Sequence, residues 1–143
     1  AVLLLNDGSL LDVNGTVGAA FQNITTGEAY YLLVRQRNHL DVLSANTVVL
    51  PNATAYDFTI ATTQAVGNEQ LKMLENGVYG LYAGDLNSDG IISFSDFNSY
   101  LMGLTTTNGY NRADTSLDGI VNTNDFNAYI ANAGRLGIAG IRY

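Results

Sequence analysis

Short apolar runs separated by turn-forming residues dominate residues 1–83, and runs of this kind predict β-strands. Residues 2–5 and 10–13 flank Asn6-Asp7-Gly8-Ser9, in which Asp-Gly supplies the positive φ that a tight hairpin turn requires. Residues 28–37 form the clearest predicted strand, with one face made of Tyr31, Leu33, Arg35 and Arg37 and the other of Tyr30, Leu32, Val34 and Gln36. Further strands are expected at residues 16–21, 47–50 and 56–60, with a helical turn or an irregular crossover over residues 63–76.

A helical spacing of apolar residues occurs twice, nearer the C-terminal end. The first stripe consists of Phe97, Tyr100, Leu101 and Leu104, at i, i+3, i+4 and i+7. The second consists of Phe126, Tyr129, Ile130 and Ala133. Gly103 and Gly134 lie where each helix is expected to stop. The pattern therefore predicts two short amphipathic helices that bury their stripes against each other.

Each predicted helix follows a twelve-residue segment that is rich in oxygen side chains. Residues 85–96 carry them at positions 1, 3, 5, 9 and 12, with Gly90 at position 6, and residues 114–125 repeat the pattern with Gly119. Alternating oxygens, a backbone carbonyl at position 7 and a glycine for the sharp turn suit calcium. The candidate ligands are Asp85, Asn87, Asp89, the Ile91 carbonyl and Asp96 in the first segment, and Asp114, Ser116, Asp118, the Ile120 carbonyl and Asp125 in the second. Two calcium ions are expected, with Ile91 and Ile120 pairing the two segments back to back.

The charge of the chain supports this interpretation. It carries 13 acidic and 6 basic residues, a net charge of −7, and six of the acidic residues are aspartates of the two segments. Such acidity, with few Lys and Arg, argues against nucleic acid as a partner. No apolar run reaches the length of a membrane span, so no transmembrane segment is expected. The simpler alternative is a pair of Asp- and Asn-rich surface turns.

The sequence before the first segment differs from that of an EF-hand. Gly84 directly precedes Asp85, and Gly77 and Gly80 lie shortly upstream, so a long entering helix is not expected. Position 12 is Asp in both segments, where EF-hands usually have Glu. A duplicated loop with only an exiting helix, and with Asp at position 12, resembles the dockerin family over residues 84–134. The resemblance implies two calcium ions and, as in many members, docking onto a cohesin partner.

A second resemblance covers most of the chain. Residues 30–42 read YYLLVRQRNHLDV and residues 79–85 read YGLYAGD, which is similar to the C-terminal part of large secreted surface proteins of Bacteroidota-like bacteria. The similarity implies a β-domain followed by two calcium loops, and it implies no catalytic residues. Those proteins have further strand sequence upstream of residues 2–5, so an open sheet edge is expected here. Residues 2–5 or 136–143 of a neighbouring copy could cover that edge and build a filament, or both could complete their own sheet.

Candidate catalytic chemistry is sparse. His39 is the sole histidine and no nucleophile motif accompanies it, so it is expected to make hydrogen bonds in a loop. Arg35 and Arg37 are expected to make surface contacts or to pair with Asp41 or Asp57. The chain has no cysteine, so no disulfide indicates its compartment. Asn-X-Thr sequons, which are candidate glycan acceptors, occur at Asn14, Asn23 and Asn52.

The sequence as a whole predicts a mainly β chain with a small α part. An immunoglobulin-like antiparallel β-sandwich over residues 1–83 precedes a dockerin-like pair of calcium loop–helix units, with a tail, over residues 84–143. The expected role is a non-catalytic, extracellular structural module that adheres to a surface protein or self-associates into a filament by strand donation. The alternatives are a dockerin that attaches a secreted enzyme to a cohesin, and a carbohydrate-binding module. Calcium loops of this kind favour secretion, and the apolar start without a secretion signal indicates a processed form.

Overall fold

The computed structural model describes residues 2–4, 10–67, 69–104 and 110–138. Within these ranges, eight short strands form four two-stranded antiparallel sheets, and two α-helices follow them. The strands are β1 (Val2–Leu4), β2 (Leu10–Asp12), β3 (Ala29–Tyr30), β4 (Leu33–Val34), β5 (Val42–Leu43), β6 (Val48–Val49), β7 (Lys72–Met73) and β8 (Tyr79–Gly80). The helices are α1 (Phe94–Gly103) and α2 (Thr123–Ile130). The chain is thus mainly β with a small α part, as the sequence predicts.

The first two strands pair as predicted. β1 and β2 are antiparallel, with Leu3 opposite Leu11. Residues 5–9, which include the expected turn, lie outside the described residues. Leu11 also bridges Val17 on the far side of β2, whereas the described backbone gives β1 no second neighbour. Residues 16–21, expected as a strand, contribute this bridge alone.

The long strand expected at residues 28–37 is divided into β3 and β4. β3 pairs with β6, and β4 pairs with β5, so both halves belong to one irregular hairpin. Between the paired segments, residues 31–32 lie opposite residues 44–47, which makes a bulge. The hydroxyl oxygen of the buried Ser44 accepts the Leu32 N–H at 2.9 Å, and the Ser44 N–H donates to the Leu32 carbonyl at 2.8 Å. The bulge therefore interrupts the ladder without leaving the Leu32 backbone unpaired.

Residues 56–60 do not form the expected strand. The Asp57 carboxylate accepts the Thr59 N–H at 2.8 Å and the Thr59 hydroxyl at 2.7 Å. Such a local side-chain turn competes with strand pairing for the backbone donor. A short 3-10 helix at Thr62–Gln64 follows, and then β7 and β8 pair with each other. The 3-10 helix matches the helical turn expected over residues 63–76, but β7 lies in the same stretch, where no strand was expected.

Both helices begin where the oxygen-rich segments end, as predicted, and each starts with a capping box. The Ser93 hydroxyl accepts the Ser95 N–H at 3.2 Å, and the Asp96 carboxylate accepts the Ser93 N–H at 2.7 Å. Asn122 and Asp125 form the equivalent box at α2. These side chains satisfy N–H groups that the start of a helix leaves unpaired. Neither helix is long and apolar enough to cross a membrane, and the described part of the chain holds no other candidate.

The apolar stripes of the two helices are buried only in part. Four aromatic rings fill the contact between the helices, those of Phe97, Tyr100, Phe126 and Tyr129. The centroids of Phe97 and Phe126 lie 6.0 Å apart, and those of Tyr100 and Phe126 lie 5.6 Å apart. The expected burial of the whole stripes is wrong, because these rings occupy the contact and leave the other four stripe residues exposed. Those residues are Leu101, Leu104, Ile130 and Ala133.

Gly103 is the last residue of α1, and packing explains why it is a glycine. A Cβ at Gly103 would lie 2.5 Å from the Cβ of Ala113, which is closer than two carbon atoms can approach. α1 ends at Gly103 as expected, with Leu104 as its right-handed cap, whereas α2 ends at Ile130, before the stop expected at Gly134. At Gly134 the backbone has a φ of 88°, four residues after α2 ends. Its N–H donates to the Ile92 carbonyl at 2.8 Å.

The hydrophobic core crosses the boundary expected between residues 83 and 84. Leu40 and Tyr82, from the upstream side, share one buried cluster with Ile92 and Tyr129. A second cluster contains Leu86, Tyr100 and Ala113, and a third contains Val42, Ala65 and Leu71. The β part and the helices are therefore packed against each other, because the first cluster takes residues from both.

Ile91 pairs with the segment after α2 and not with Ile120. Ile91 and Leu136 form an antiparallel bridge, and the Gly137 N–H donates to the Gly90 carbonyl at 2.8 Å. Ile120 is 65% exposed. The expected back-to-back pairing is wrong, because the chain returns after α2 and occupies the edge beside Ile91. Of the tail considered as a strand donor, residues 136–137 are engaged here and residues 139–143 lie outside the described residues.

Candidate metal centre

Loop 1 (residues 85–96) and loop 2 (residues 114–125) fold alike. The position-1 carboxylate of Asp85 accepts the N–H groups of positions 5 and 6, both at 3.1 Å. Asp114 does the same in loop 2, at the same distances. The position-5 carboxylate accepts the N–H of position 7, at 2.9 Å for Asp89 and 2.8 Å for Asp118. Each loop therefore winds around its first aspartate.

Left-handed residues at positions 4 and 6 produce this winding. At position 6, Gly90 has a φ of 83° and Gly119 a φ of 88°, a conformation that glycine adopts without strain. At position 4, Ser88 has a φ of 60° and Leu117 a φ of 62°. A leucine in this region is disfavoured by roughly 1–2 kcal/mol. The surrounding loop, rather than Leu117 itself, must impose that conformation.

The position-12 aspartates tie each loop to its helix. Asp96 is fully buried and accepts the N–H of position 3 at 3.1 Å and that of position 9 at 2.7 Å. Asp125 accepts the same two N–H groups at 2.9 Å and 2.8 Å. One carboxylate thus closes the loop and caps the helix that follows, so the loop and the helix start are one hydrogen-bonded unit.

The position-3 and position-5 side chains face solvent. In loop 1 the Asn87 amide donates to the Asp89 carboxylate at 2.8 Å and to the Ser95 hydroxyl at 2.9 Å. In loop 2 the Ser116 hydroxyl donates to the Asp114 carboxylate at 3.4 Å. Each loop therefore has a buried side, formed by positions 1 and 12, and an open side through which an ion could enter.

Buried negative charge is the main electrostatic feature of both loops. The four carboxylates at positions 1 and 12 are each less than 5% exposed; they belong to Asp85, Asp96, Asp114 and Asp125. Among the residues that the structure describes, the ion pairs include only one of them, Asp114 with Arg37. Buried carboxylates are costly unless an opposite charge or a metal ion accompanies them. The backbone N–H donors supply part of this compensation.

The pKa values of two buried carboxylates, one in each loop, are shifted in opposite directions. Burial, helped by the charges of Asp96 and Asp89, raises the pKa of Asp85 to about 6, against the N–H donors of positions 5 and 6. At Asp125 burial also favours the neutral form, but hydrogen bonds from backbone N–H groups and hydroxyls together outweigh it and lower the pKa. Repulsion from neighbouring carboxylates therefore adds to the effect of burial on the pKa of Asp85.

The acidic side chains of a loop are not gathered around one point. In the ranges that the structure describes, no three or more His, Cys, Asp or Glu side chains lie together so that they could hold a metal ion. The position-12 carboxylates turn toward backbone N–H groups, and two candidate donors of each loop are not acidic side chains. Those donors are Asn87 and the Ile91 carbonyl in loop 1, and Ser116 and the Ile120 carbonyl in loop 2. A mixed set of oxygen donors fits the chemistry of calcium.

Arg37 lies against loop 2, a contact that the amino-acid sequence does not predict. Its Nη2 is 3.5 Å from the Asp114 carboxylate, and its guanidinium carbon is 3.8 Å from the centroid of the Tyr110 ring. The expected surface pair with Asp41 is wrong for Arg37, because the fold places Asp114, 77 positions further along the chain, beside it. Arg35 does make the expected pair with Asp41, at 2.7 Å.

Each helix donates a tyrosine hydrogen bond to the loop that precedes the other helix. The Tyr100 hydroxyl of α1 donates to the Asn122 carbonyl of loop 2 at 3.1 Å. The Tyr129 hydroxyl of α2 donates to the Ser93 carbonyl of loop 1 at 3.0 Å. Both carbonyls belong to position 9. The repetition of tyrosine in the two copies is the sequence signal for this exchange, although spacing alone indicates only packing.

His39 has the hydrogen-bonding role expected of it. Its Nδ1 lies 2.8 Å from the Gln36 side-chain oxygen and 2.8 Å from the Asn38 side-chain oxygen, so Nδ1 carries the donated proton. Burial and the nearby charge of Arg37 lower the pKa of His39 to about 4. The imidazole is therefore neutral near pH 7 and orders the chain between Gln36 and Leu40.

Comparisons with protein-family models, with curated proteins and with solved structures found no match for this chain. The likeness to dockerins and to secreted surface proteins therefore rests on the residues quoted above. The geometry of the loops carries the functional argument.

Proposed function

We propose that this chain is a non-catalytic, extracellular structural module in which loop 1 and loop 2 each bind one calcium ion. The ligands are side-chain oxygens at loop positions 1, 3, 5 and 12 together with the carbonyl of position 7. They are Asp85, Asn87, Asp89, Ile91 and Asp96 in loop 1, and Asp114, Ser116, Asp118, Ile120 and Asp125 in loop 2. A dockerin-like arrangement of the loop–helix units and an immunoglobulin-like layering of the upstream strands belong to the same proposal.

The repetition of one buried, carboxylate-lined turn carries this proposal. Surface turns that merely reverse the chain have no need to bury aspartates, yet Asp85 and Asp114 are each 4% exposed. In each loop the N–H groups of positions 5 and 6 donate to the position-1 carboxylate at the same distance, 3.1 Å. A divalent cation would supply the positive charge that the buried side of each loop lacks, most of all in loop 1.

Calcium would act on stability more than on chemistry. Each ion would draw the carboxylates of one loop together and fix the start of the helix that the position-12 aspartate caps. Because the unfolded chain has no preformed site, the free energy of binding becomes free energy of folding. Asp-rich loops of this type in extracellular modules bind calcium with dissociation constants of roughly 0.1–1 mM. Occupancy at such affinities requires the millimolar calcium found outside cells, which supports secretion.

Calorimetric titration of the EDTA-treated, dialysed protein with calcium tests the binding. We expect two ions per chain and a rise in melting temperature that follows their uptake. Asp57→Ala is the matched control, because Asp57 is exposed and distant in sequence from both loops. A chain that takes up no calcium at millimolar concentration would refute the proposal.

The assembly part of the proposal rests on the open edge of β1. In the described residues β1 pairs with β2 alone, and Leu3 in its centre is 58% exposed. A two-stranded sheet is marginal in water, and an unpaired apolar edge accepts a further strand readily. A strand from a neighbouring copy would pair with β1, and repetition of that contact would build a filament or anchor the module to a surface protein.

Light scattering and electron microscopy in calcium-containing buffer test the assembly. We expect particles larger than one chain, and their loss when Leu3→Lys places a charge on the edge. Val13→Lys is the control, because Val13 is 72% exposed but lies outside the strand. A monodisperse monomer of the unsubstituted protein would contradict self-association while leaving calcium binding intact.

A docking module is the second candidate, and one observation favours it. The outer face of α1 carries three apolar side chains, Phe94, Leu101 and Met102, of which Phe94 is 71% exposed and Met102 75%. An apolar helix face of this kind suits docking onto a partner such as a cohesin. A pull-down with cohesins, lost on Phe94→Asp and kept on Asn98→Asp, would support this function. Absence of capture from a panel of cohesins would count against it.

A further inference from the structure

Asn38 makes hydrogen bonds toward both calcium loops, although it lies far upstream of them. Its carbonyl accepts the N–H of Gly84, the residue before loop 1, at 2.8 Å. Its side-chain amide donates to the Asp114 carbonyl at 2.7 Å and to the Arg112 carbonyl at 2.9 Å, at the start of loop 2. One residue of the β part therefore contacts the residue before loop 1 and the first residue of loop 2.

The surroundings of Asn38 hold it in place. Its backbone N–H donates to the Gln36 side chain at 2.9 Å, and its side-chain oxygen accepts from His39 at 2.8 Å. The next residues pair with the strand that leads into loop 1, through Leu40 N–H to the Tyr82 carbonyl at 2.9 Å. Asn38 is 0% exposed and every one of its polar groups has a partner. A fully satisfied buried amide cannot shift without leaving several groups unpaired.

The two hydrogen bonds from the Asn38 side chain fix the backbone around Asp114, the first proposed ligand of loop 2. Asp114 is 4% exposed, and the orientation of its peptide decides where its carboxylate lies. In loop 1 the corresponding position is fixed differently. Gly84, before Asp85, packs so closely that an added Cβ would meet Ile92 at 3.1 Å and the Tyr129 backbone at 3.2 Å. Packing therefore fixes loop 1, whereas the Asn38 amide fixes loop 2.

We propose that Asn38 is a positioning residue for calcium in loop 2, so that the calcium-binding unit includes the β part of the chain. The inference rests on the proposed calcium function. Partners that orient metal ligands without touching the ion typically change metal affinity by about 10–100-fold when they are removed. Loss of the Asn38 amide should weaken loop 2 by that factor. It should leave loop 1 within about threefold, because its bond to Gly84 comes from the backbone of residue 38 and survives substitution.

Single-site titrations of the full chain separate the two loops. In an Asp89→Ala background loop 1 is disabled and calorimetry reports loop 2, while an Asp118→Ala background reports loop 1. We expect Asn38→Ala to weaken calcium binding about 10–100-fold in the first background and less than about threefold in the second. Asn46→Ala, at an exposed position of the same hairpin, should change neither. Equal losses in both backgrounds, or no loss in the first, would overturn the inference.

Amide hydrogen exchange of the unsubstituted protein provides a second test that needs no variant. If loop 2 and the β part form one binding unit, saturating calcium should slow exchange at Leu40 N–H by at least about tenfold. Gly27 N–H, which donates to the distant Leu50 carbonyl at 2.8 Å, serves as the internal control. Unchanged exchange at Leu40, in a protein that binds two ions, would overturn the inference alone. A protein that binds no calcium would overturn the proposed function and this inference with it.

Discussion

Replacement of Asp118 by alanine should destabilise the protein strongly in calcium and only slightly in EDTA. Asp118 is exposed, and the contact it makes within the protein is the hydrogen bond from the Ile120 N–H at 2.8 Å. An exposed bond of this type contributes at most about 1 kcal/mol to stability. In EDTA, the substitution also removes one negative charge from a crowded loop. The two effects oppose each other, so the net change without calcium should be small.

With calcium present, the same substitution removes a ligand of the ion. A site that is filled at one hundred times its dissociation constant stabilises the folded chain by about 2.7 kcal/mol. A chain of this size gains or loses roughly 2–4 °C in melting temperature per kcal/mol, so loss of the ion should lower it by about 5–11 °C. Asp89→Ala should do the same through loop 1, and the two losses should add only in part because the helices contact each other.

Thermal unfolding followed by circular dichroism, in millimolar calcium and in EDTA, measures both quantities on one set of variants. Asp57→Ala serves as the control for removal of an exposed aspartate and should lower the melting temperature by less than about 2 °C in either buffer. If EDTA leaves the melting temperature of the unsubstituted protein unchanged, the stabilising role of calcium is wrong. A drop of equal size in both buffers for Asp118→Ala would show that the carboxylate serves the turn and not an ion.

Three further substitutions probe the surroundings of the loops. Arg37→Gln removes the positive charge 3.5 Å from the Asp114 carboxylate and should raise calcium affinity at loop 2; the rise should be roughly two- to tenfold by calorimetry, and weaker binding would contradict this. His39 binds fewer protons folded than unfolded between pH 6.5 and about 4, so its contribution is complete above pH 6.5 and is lost as the pH falls through this window. The free energy of unfolding, measured by urea titration, should fall on acidification for both the unsubstituted chain and His39→Gln. The fall should be larger by up to about 3 kcal/mol for the unsubstituted chain, and parallel pH profiles of the two proteins would refute this. Gly103→Ala should cost about 1–3 kcal/mol in calcium and in EDTA alike, because its Cβ would overlap that of Ala113, and an unchanged denaturation midpoint would show that α1 can move aside.

The loop–helix units could be predicted from sequence because their determinants are local. Ser93 and Asp96, and their counterparts in the second copy, lie within one turn of the helix they cap. The twelve-residue spacing likewise places the N–H groups of positions 5 and 6 beside the first aspartate within one loop. A side chain that bonds a backbone group within five residues of itself can be predicted from the sequence. The left-handed Leu117 is the exception, since leucine rarely adopts that conformation and its own identity gives no sign of it.

The β part was less predictable because its pairing is set by distant residues. Residues 28–37 do pair as strands, but the partners of β3 and β4 are separated by four residues, and Ser44 fills the gap. At residues 56–60 apolar and polar residues alternate regularly, yet Asp57 bonds Thr59 locally and no strand forms. Period-two patterns predict which residues can enter a sheet. They do not predict where a bulge or a side-chain turn interrupts it.

The contacts between the β part and loop 2 carry no sequence signal. Asn38 and Arg37 lie more than 70 positions from Asp114, and arginine and asparagine on a strand exit usually face solvent. Nothing in the sequence around them indicates this structural role. Only the folded chain shows that Asn38 is fully buried and bonded to the start of loop 2.

Anomalous scattering from crystals grown in millimolar calcium would locate the two ions. We expect two anomalous peaks per chain, one inside each loop, within about 2.3–2.6 Å of oxygens from positions 1, 3, 5, 7 and 12. In loop 1 the peak should lie beside Asp85, and in loop 2 beside Asp114. Difference maps with no peak in either loop, and loops of the same shape with and without calcium, would contradict it.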